Sequence, residues 1–500
     1  MVERKPHRPA SPQAGDAEAA GAATPATGHN GHPTDEALAE RFLADPHLPG
    51  LRMVLSPVLM GLRLEAHFHA SGLPQDWSVT GCAVEQIYYK PHRHCGVLHR
   101  VTLRGRGGLN AEEWVFGQAF APEIGPQRFA YLEACVSGLR PACPVLAGIP
   151  VVGYWDDLHI AISLFPHDRK MPGVHLAGAP QFVRRVLETH AEAREAFGST
   201  AASAAIEFDR LKYMPGKRCV LRYRLTWPGI PEITPRASFI SKTFPAHEAR
   251  HAYERLRAAC DAWASHAPAI DIPRPLAYLE EGHTAWLEDW GGAPLVAVVA
   301  SGDGAAHLER AAALLAAIHR SRVEGLPAGP DRDAVVRAAT QDLDRYARLM
   351  PEHEAIVAAL RACIESGAQA SVETPRVPIH GDFQVEQLLV RDGRLTAVDF
   401  DDLAQGDPLQ DVAEFVASLR YLEISAGRPR GELARAAAAF CARYAGEVPW
   451  HCDPGRIAWY AAAYTATKMS WTVAHLDLAA ISRLLARGAT LVQDMLEGWE

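Results

Sequence analysis

The sequence predicts an α/β fold of the α+β kind, in which antiparallel β units stand beside a mostly helical C-terminal half. Three observations predict it. Residues near 80–165 and near 206–290 are rich in short runs of alternating apolar and polar residues, the period of a half-buried strand. From about Ala305 onward the pattern is that of long helices, interrupted once by a β-like segment between Val377 and Phe400. The two β-rich stretches also look like copies of one another, the signature of an internal repeat.

The chain has 500 residues, and at roughly 150 residues per domain that allows about three domains. Its 48% hydrophobic and 22% charged content is the balance of a globular protein. Fifty basic against 59 acidic residues, a formal charge of −9, argue against a nucleic-acid partner or a polybasic membrane binder. Nine cysteines without a CxxC pair read as reduced thiols and a cytoplasmic protein. No apolar run approaches the ~18 residues a membrane helix needs, and the N-terminus lacks the apolar region of a secretory signal. Residues 1–33, rich in Pro, Gly and Ala, read as a disordered tail. Order is expected from Thr34, which can cap a helix with Asp35 and Glu36 in its first turn. Leu38 and Phe42 share a face of that helix, and Pro46 ends it.

The repeat rests on residues in register. Tyr89 and Pro91 are followed by Cys95, Arg100, Thr102 and Phe120; Tyr213 and Pro215 are followed at the same offsets by Cys219, Arg224, Thr226 and Phe244. The division expected is therefore an N-terminal α+β domain at 34–205, a second copy at 206–296 and a helical unit at 297–500. The copies differ in chemistry. The strand Ala237–Phe244 carries Lys242 where the first copy has Gln118. A lysine in mid-strand ordinarily marks an edge or a solvent face. What raises Lys242 is the helix-period segment after Pro245, with Glu248 in its first turn and Glu254 beyond. Met214-Pro215-Gly216-Lys217-Arg218 reads equally as a hairpin turn with a basic tip or as a phosphate contact; it is no Walker loop. His92 and His94 face one way on a strand, Cys95 and His99 the other, which disfavours a metal site.

The chemistry is concentrated in 378–402. His380-Gly381-Asp382 leads to Gln387 and, through Asp392-Gly393, to Asp399-Phe400-Asp401-Asp402. Asp392-Gly393 between two apolar runs is a hairpin signal. The hairpin folds the chain back, so Asp382 and Gln387 approach Asp399. Two carboxylates and an amide oxygen suit magnesium, a carboxylate spared from the metal accepts a proton from a hydroxyl, and with a lysine for phosphates the set suits phosphoryl transfer. Asp401 and Asp402 read as solvated loop carboxylates. Asp407-Pro408 reads as a helix start, Asp411 as scaffold, and His380 as an orienting residue. Most of Trp450, Trp459, Tyr460, Tyr464 and Trp471 read as core.

This segment resembles the aminoglycoside phosphotransferase family, which shares a two-lobed protein-kinase-like fold with choline kinases. The shared pattern is His380-Gly381-Asp382, a residue five further on, Asp399-Phe400, and Gly406-Asp407-Pro408. That residue is Gln387 where most of the family has asparagine, a variant similar to the maltokinase branch. The resemblance implies that Asp382 is the catalytic base, that Gln387 and Asp399 hold Mg2+, and that Lys242, fixed by Glu248 or Glu254, contacts the phosphates of ATP or GTP. Residues 285–292, with Glu288, resemble the hinge that contacts adenine, and 206–500 is the portion covered. The expected activity is transfer of the γ-phosphate to a hydroxyl of a sugar, an aminoglycoside or an amino alcohol. The alternative is a pseudokinase that binds nucleotide or a protein partner, the latter through the N-terminal copy.

Overall fold

The structure, a computed structural model, describes residues 40–487 apart from 135, 137, 228–237, 246–248, 268–269, 302–303, 368–373 and 430. The cap at Thr34 and Glu248 lie outside the described residues. What is described of the first helix stops before Pro46, and Phe42 is buried there.

Two five-stranded antiparallel sheets follow. The first is built from β1 (Trp77–Lys90), β2 (His94–Gly105), β3 (Asn110–Phe120), β4 (Val152–Trp155) and β5 (Ile160–Leu164), in the order β1-β2-β3-β5-β4. The second is built from β6 (Ala205–Met214), β7 (Arg218–Thr226), β8 (Ser238–Thr243), β9 (Pro275–Leu279) and β10 (Thr284–Glu288), in the order β6-β7-β8-β10-β9. The order is the same, and so is the register. Cys95 pairs with Ala119 as Cys219 pairs with Thr243; Gln118 pairs with Ala161 as Lys242 pairs with Ala285; Tyr154 pairs with Ala161 as Tyr278 pairs with Ala285. Each counterpart lies 124 positions on, 95 to 219 and 161 to 285 alike. The first strands differ in their bulges, which fall between Val79 and Gly81 and between Val84 and Gln86 in β1 but between Arg210 and Lys212 in β6.

The sheets do not keep separate cores. Trp114 of β3 stacks on Tyr213 of β6 at 5.8 Å, and Phe165 packs against both rings. Leu98, Trp114 and Phe165 belong to one buried cluster with Tyr223, Phe239 and Trp286. Beside them Arg210 of β6 reaches Glu113 of β3 at 2.9 Å. Burial pushes the Glu113 carboxyl up to about 7, although Arg210 and two backbone N–H groups, from Cys143 and Trp114, pull the other way.

The chain leaves the second sheet through Gly291 and Gly292, both at positive φ, and enters β11 (Ala293–Pro294). A Cβ on Gly292 would stand 2.6 Å from the Val390 carbonyl, so only glycine fits. β11 pairs with β13 (Leu388–Arg391), which pairs with β14 (Arg394–Ala397) across the Asp392-Gly393 turn. Asp392 and Gly393 have φ of 50° and 73°, the two left-handed residues such a hairpin turn requires. A two-stranded ladder of β12 (Val377–Ile379) and β15 (Ala404–Gly406) flanks the hairpin. The remainder is helical, including Ala305–Arg320, Arg332–Leu349, Pro408–Ser425, Ala434–Glu447 and Pro454–Ala474. Among the described residues no helix is long and apolar enough to cross a membrane, and all eight described cysteines are free thiols.

Candidate active site

The loop from His380 to Asp382 is anchored from below. Asp411, fully buried in the first turn of the Pro408–Ser425 helix, accepts the His380 N–H at 2.6 Å and the Gly381 N–H at 2.9 Å. Its other partner is the His319 ring at 3.0 Å, itself 2.7 Å from the Tyr444 hydroxyl. Burial would raise the Asp411 carboxyl, but the hydrogen bond and charge of His319 outweigh it and hold it low. Asp407 caps the helix by accepting the Leu409 N–H at 3.1 Å. His380 faces the Val398 carbonyl through Nε2 at 3.0 Å and the Asp382 N–H through Nδ1 at 3.3 Å. With both ring nitrogens engaged by the backbone, His380 orients the loop. Gly381 has φ of 83°, and a Cβ there would stand 2.5 Å from the Asp402 carbonyl.

Asp382 receives two amides. Gln384 donates to Oδ1, and Gln387 donates to Oδ2 at 2.8 Å. Burial, opposed by His380 and assisted by the charge of Asp399, leaves its carboxyl above the ordinary 3.8. Gln384 also reaches Glu414 at 3.2 Å and accepts from Lys468 at 2.6 Å. Burial, then Asp382 and Asp411, push the Glu414 carboxyl well above its usual range, and its Oε2 has no partner among the described residues. Sequence reasoning missed Gln384, Glu414 and Lys468; the last two lie on helices whose faces it had no means to orient.

Across from Asp382 stands a cluster of two carboxylates and two cations. Asp399 sits in the left-handed region, φ 72° and ψ 48°, a conformation that non-glycine residues adopt mostly where surrounding structure enforces it. Its carboxylate meets Lys242 at 2.5 Å and Arg218 at 2.7 Å. Asp401 meets Lys242 at 2.7 Å and Arg218 at 2.5 Å. Burial would raise Asp399, but the two cations outweigh it and hold this carboxyl far below 3.8. Burial and then the neighbouring Asp399 charge raise Asp401, even though Lys242 and Arg218 pull it down.

Lys242 lies inside the sheet, since β8 stands between β7 and β10, and is 7% exposed with its amine aimed at Asp399. One expectation is corrected here. Asp401 is no solvated carboxylate, since it completes the ion cluster; Asp402 beside it is exposed. Glu254 does not reach Lys242 but pairs with Arg250 on the exposed side of its helix. Glu288 ends β10 and accepts the Arg274 N–H at 3.4 Å. His92 lies in the turn between β1 and β2 and not on a strand, its ring on Asp45, while the His99 ring meets the Val54 carbonyl. Trp459 and Tyr460 are core, whereas Trp471 is 52% exposed.

The turn Met214–Arg218 is held by the first β unit. Asp168, just beyond β5, accepts the Gly216 N–H at 2.7 Å and the Tyr213 hydroxyl at 3.0 Å. Gly216, φ 72°, lies against the Lys170 side chain. Arg218, the last residue of the turn, is the one that reaches Asp399. The basic tip therefore faces the carboxylates.

No group of three or more His, Cys, Asp or Glu capable of holding a metal occurs among the described residues. The donor set is nonetheless of the kind magnesium takes with few protein ligands. Asp399 is held ionised, and the Gln387 Oε1 makes no hydrogen bond to another described residue while its nitrogen serves Asp382.

Residues 222–465 match the model of a family described as "Phosphotransferase enzyme family". That stretch is just under half of the chain. No curated protein is matched. Solved structures resemble parts of the chain. Aminoglycoside phosphotransferase APH(3'')-Id from Streptomyces rimosus is 19% identical over 53% of this chain and 93% of its own, with a TM-score of 0.34. A choline/ethanolamine kinase family protein from Mesorhizobium loti is 13% identical over 64% of this chain and 98% of its own, TM-score 0.41. A mutant of aminoglycoside phosphotransferase APH(4)-Ia, in ternary complex with ADP and hygromycin B, is 15% identical over 61% of this chain and 98% of its own, TM-score 0.40.

Proposed function

We propose that the protein transfers the γ-phosphate of ATP or GTP to a hydroxyl of a small molecule, such as a sugar, an aminoglycoside or an amino alcohol, in the cleft between the second sheet and the helical lobe. The observation that carries this reading is the pairing of opposites around the cleft: a carboxyl raised toward proton acceptance, Asp382, faces a carboxylate held ionised, Asp399, by Lys242 and Arg218. Asp382, positioned by the Gln384 and Gln387 amides, orients the acceptor hydroxyl and takes its proton as the oxygen is phosphorylated. Lys242 and Arg218 set two positive charges where the transferring phosphates bring negative ones. Asp399 and Gln387 would hold Mg2+, which when bound offsets charge on the phosphates. Glu288 and the residues after it form the hinge to the helical lobe, against which the adenine packs. Residues 34–205 are read as a copy of the 206–296 unit that has lost the phosphate lysine, fused to it by the shared core, with 297–500 as the helical lobe.

One observation favours a second reading. Arg218 spans Asp399 and Asp401, so a resident cation already neutralises the carboxylate that would hold the metal, as in a nucleotide-binding protein that transfers nothing. Transfer assays with γ-labelled ATP and pooled acceptors separate the two. Asp382→Asn should lower transfer by a factor of roughly 10² or more while nucleotide affinity stays the same. Unchanged transfer in that variant rejects Asp382 as the base, and no transfer by the wild type favours the second reading.

A further inference from the structure

Asp382 is joined to a ring of contacts from three parts of the chain, whose outer edge forms a rim. Asp382 leads through Gln384 to Lys468 on the Pro454–Ala474 helix. Trp471 lies three residues on and stacks on His475 at 3.9 Å, so these residues share a helix face. His475 packs against Tyr88 of β1 at 5.4 Å, and Lys217 of the turn stands 5.9 Å over that same Tyr88 ring. Arg218, the next residue, closes the ring at Asp399. The rim therefore combines an exposed indole with cations.

The charge of the rim is lopsided. Lys217 lies beside Lys170, whose stem packs on Gly216, and near Lys90 at the end of β1; none of the three makes an ion pair among the described residues. Burial, followed by Lys90, Lys170 and Arg345, holds the Lys217 amine below its ordinary value, as expected of crowded cations without a counter-ion. Against these three lysines stands Asp168, one carboxylate, which accepts the Gly216 and Lys170 N–H groups and the Tyr213 hydroxyl. Asp342 is paired with Arg345. Glu414 is pushed toward its neutral form. Such a rim repels a polycationic acceptor and attracts an anionic one.

We propose that the acceptor is a ring-shaped hydroxyl compound bearing an anionic group, carboxylate or phosphate, its ring against Trp471 and its anion at Lys217, Lys90 and Lys170. The proposal rests on the phosphotransfer reading for what happens to that acceptor, but binding tests it without turnover. Calorimetric titration of the full-length protein with glucuronate, glucose 6-phosphate, glucose and glucosamine reads the preference, with the first two arms separating carboxylate from phosphate. At least one anion should bind tenfold or more tightly than glucose, with the advantage shrinking at high salt. Lys217→Gln should remove that advantage. Equal or tighter binding of glucose or glucosamine overturns the proposal, as does the absence of binding by both anions, or a Lys217→Gln protein that keeps the preference. A wild-type protein that binds the anion yet transfers no phosphoryl group counts against the kinase reading alone.

Discussion

The two five-stranded sheets share strand order and pairing register at a constant offset, yet only the second places Lys242 and Arg218 on Asp399. At matched positions the second has Lys242 and Arg218 where the first has Gln118 and His94. A sheet of this kind is a scaffold, and the site arises from two cations on neighbouring strands and from what the chain does next. After β10 a glycine pair hands the second sheet to the Asp392-Gly393 hairpin; after β5 the chain turns at Asp168 to hold the other sheet's turn. The first unit has thereby become a support for the second. Its buried Trp114 and Phe165 complete the second unit's core, which makes a free-standing interaction module a poor description of it.

The comparison breaks most visibly if the second sheet is made to resemble the first. Lys242→Gln should cut phosphoryl transfer by roughly 10², the scale of removing one preorganised charge partner, and the assay is transfer at saturating ATP. A variant with full activity would show that the matched position is not where the copies diverged in function. Next in size is the seam between the sheets. Glu113→Ala leaves Arg210 without its partner in a buried place and should destabilise the protein by about 3–5 kcal/mol in urea unfolding. A loss under 1 kcal/mol would mean the sheets are only loosely joined.

Protonation sharpens the same contrast between the two units. Asp382 must be ionised to accept a proton, and its carboxyl lies above 3.8, so transfer should fall with decreasing pH along a limb whose midpoint also lies above 3.8. Asp399, held far lower, contributes nothing to that limb. Glu113 acts on stability with the opposite sign. Its folded carboxyl is raised to about 7 from an ordinary 4.5, so the folded chain keeps a proton that the unfolded chain releases between those values. Stability from this group therefore falls as pH rises from about 4.5 to 7, and Glu113→Gln should flatten that slope in unfolding experiments across the window. The smallest effect is expected of Gln118→Lys. Placing the lysine in the first sheet should leave transfer unchanged and shift stability by only about 0.5 kcal/mol.

Much of this was legible in the chain, for reasons that differ by element. The Asp392-Gly393 hairpin is local chemistry, written in two adjacent residues that tolerate positive φ. The order His380, Asp382, Gln387, Asp399 survives because the hairpin between them fixes their geometry within twenty residues. The Arg218 pairs were not legible, because their partners lie 181 and 183 positions away. The repeat held a clue to them: charge replaces His94 and Gln118 at 218 and 242, and two gained charges on adjacent strands point to a shared anionic partner. The burial of Lys242 is not written in its own strand, since the sheet order that encloses β8 appears only once β9 and β10 are paired. The Asp168 anchor was hidden for a related reason: a carboxylate in a loop says nothing of the turn it will hold until the two sheets are packed together.

The most direct measurement is a thermal-shift titration with ATP, with and without magnesium, on the wild type and on Asp399→Asn. A ligand at a hundred times its dissociation constant stabilises the folded state by about 2.7 kcal/mol, worth roughly 2–4 °C for domains of moderate size. The account predicts a magnesium-dependent rise in the wild type that is lost in Asp399→Asn. A wild type indifferent to ATP and magnesium, or a rise that survives the loss of the Asp399 charge, would contradict it.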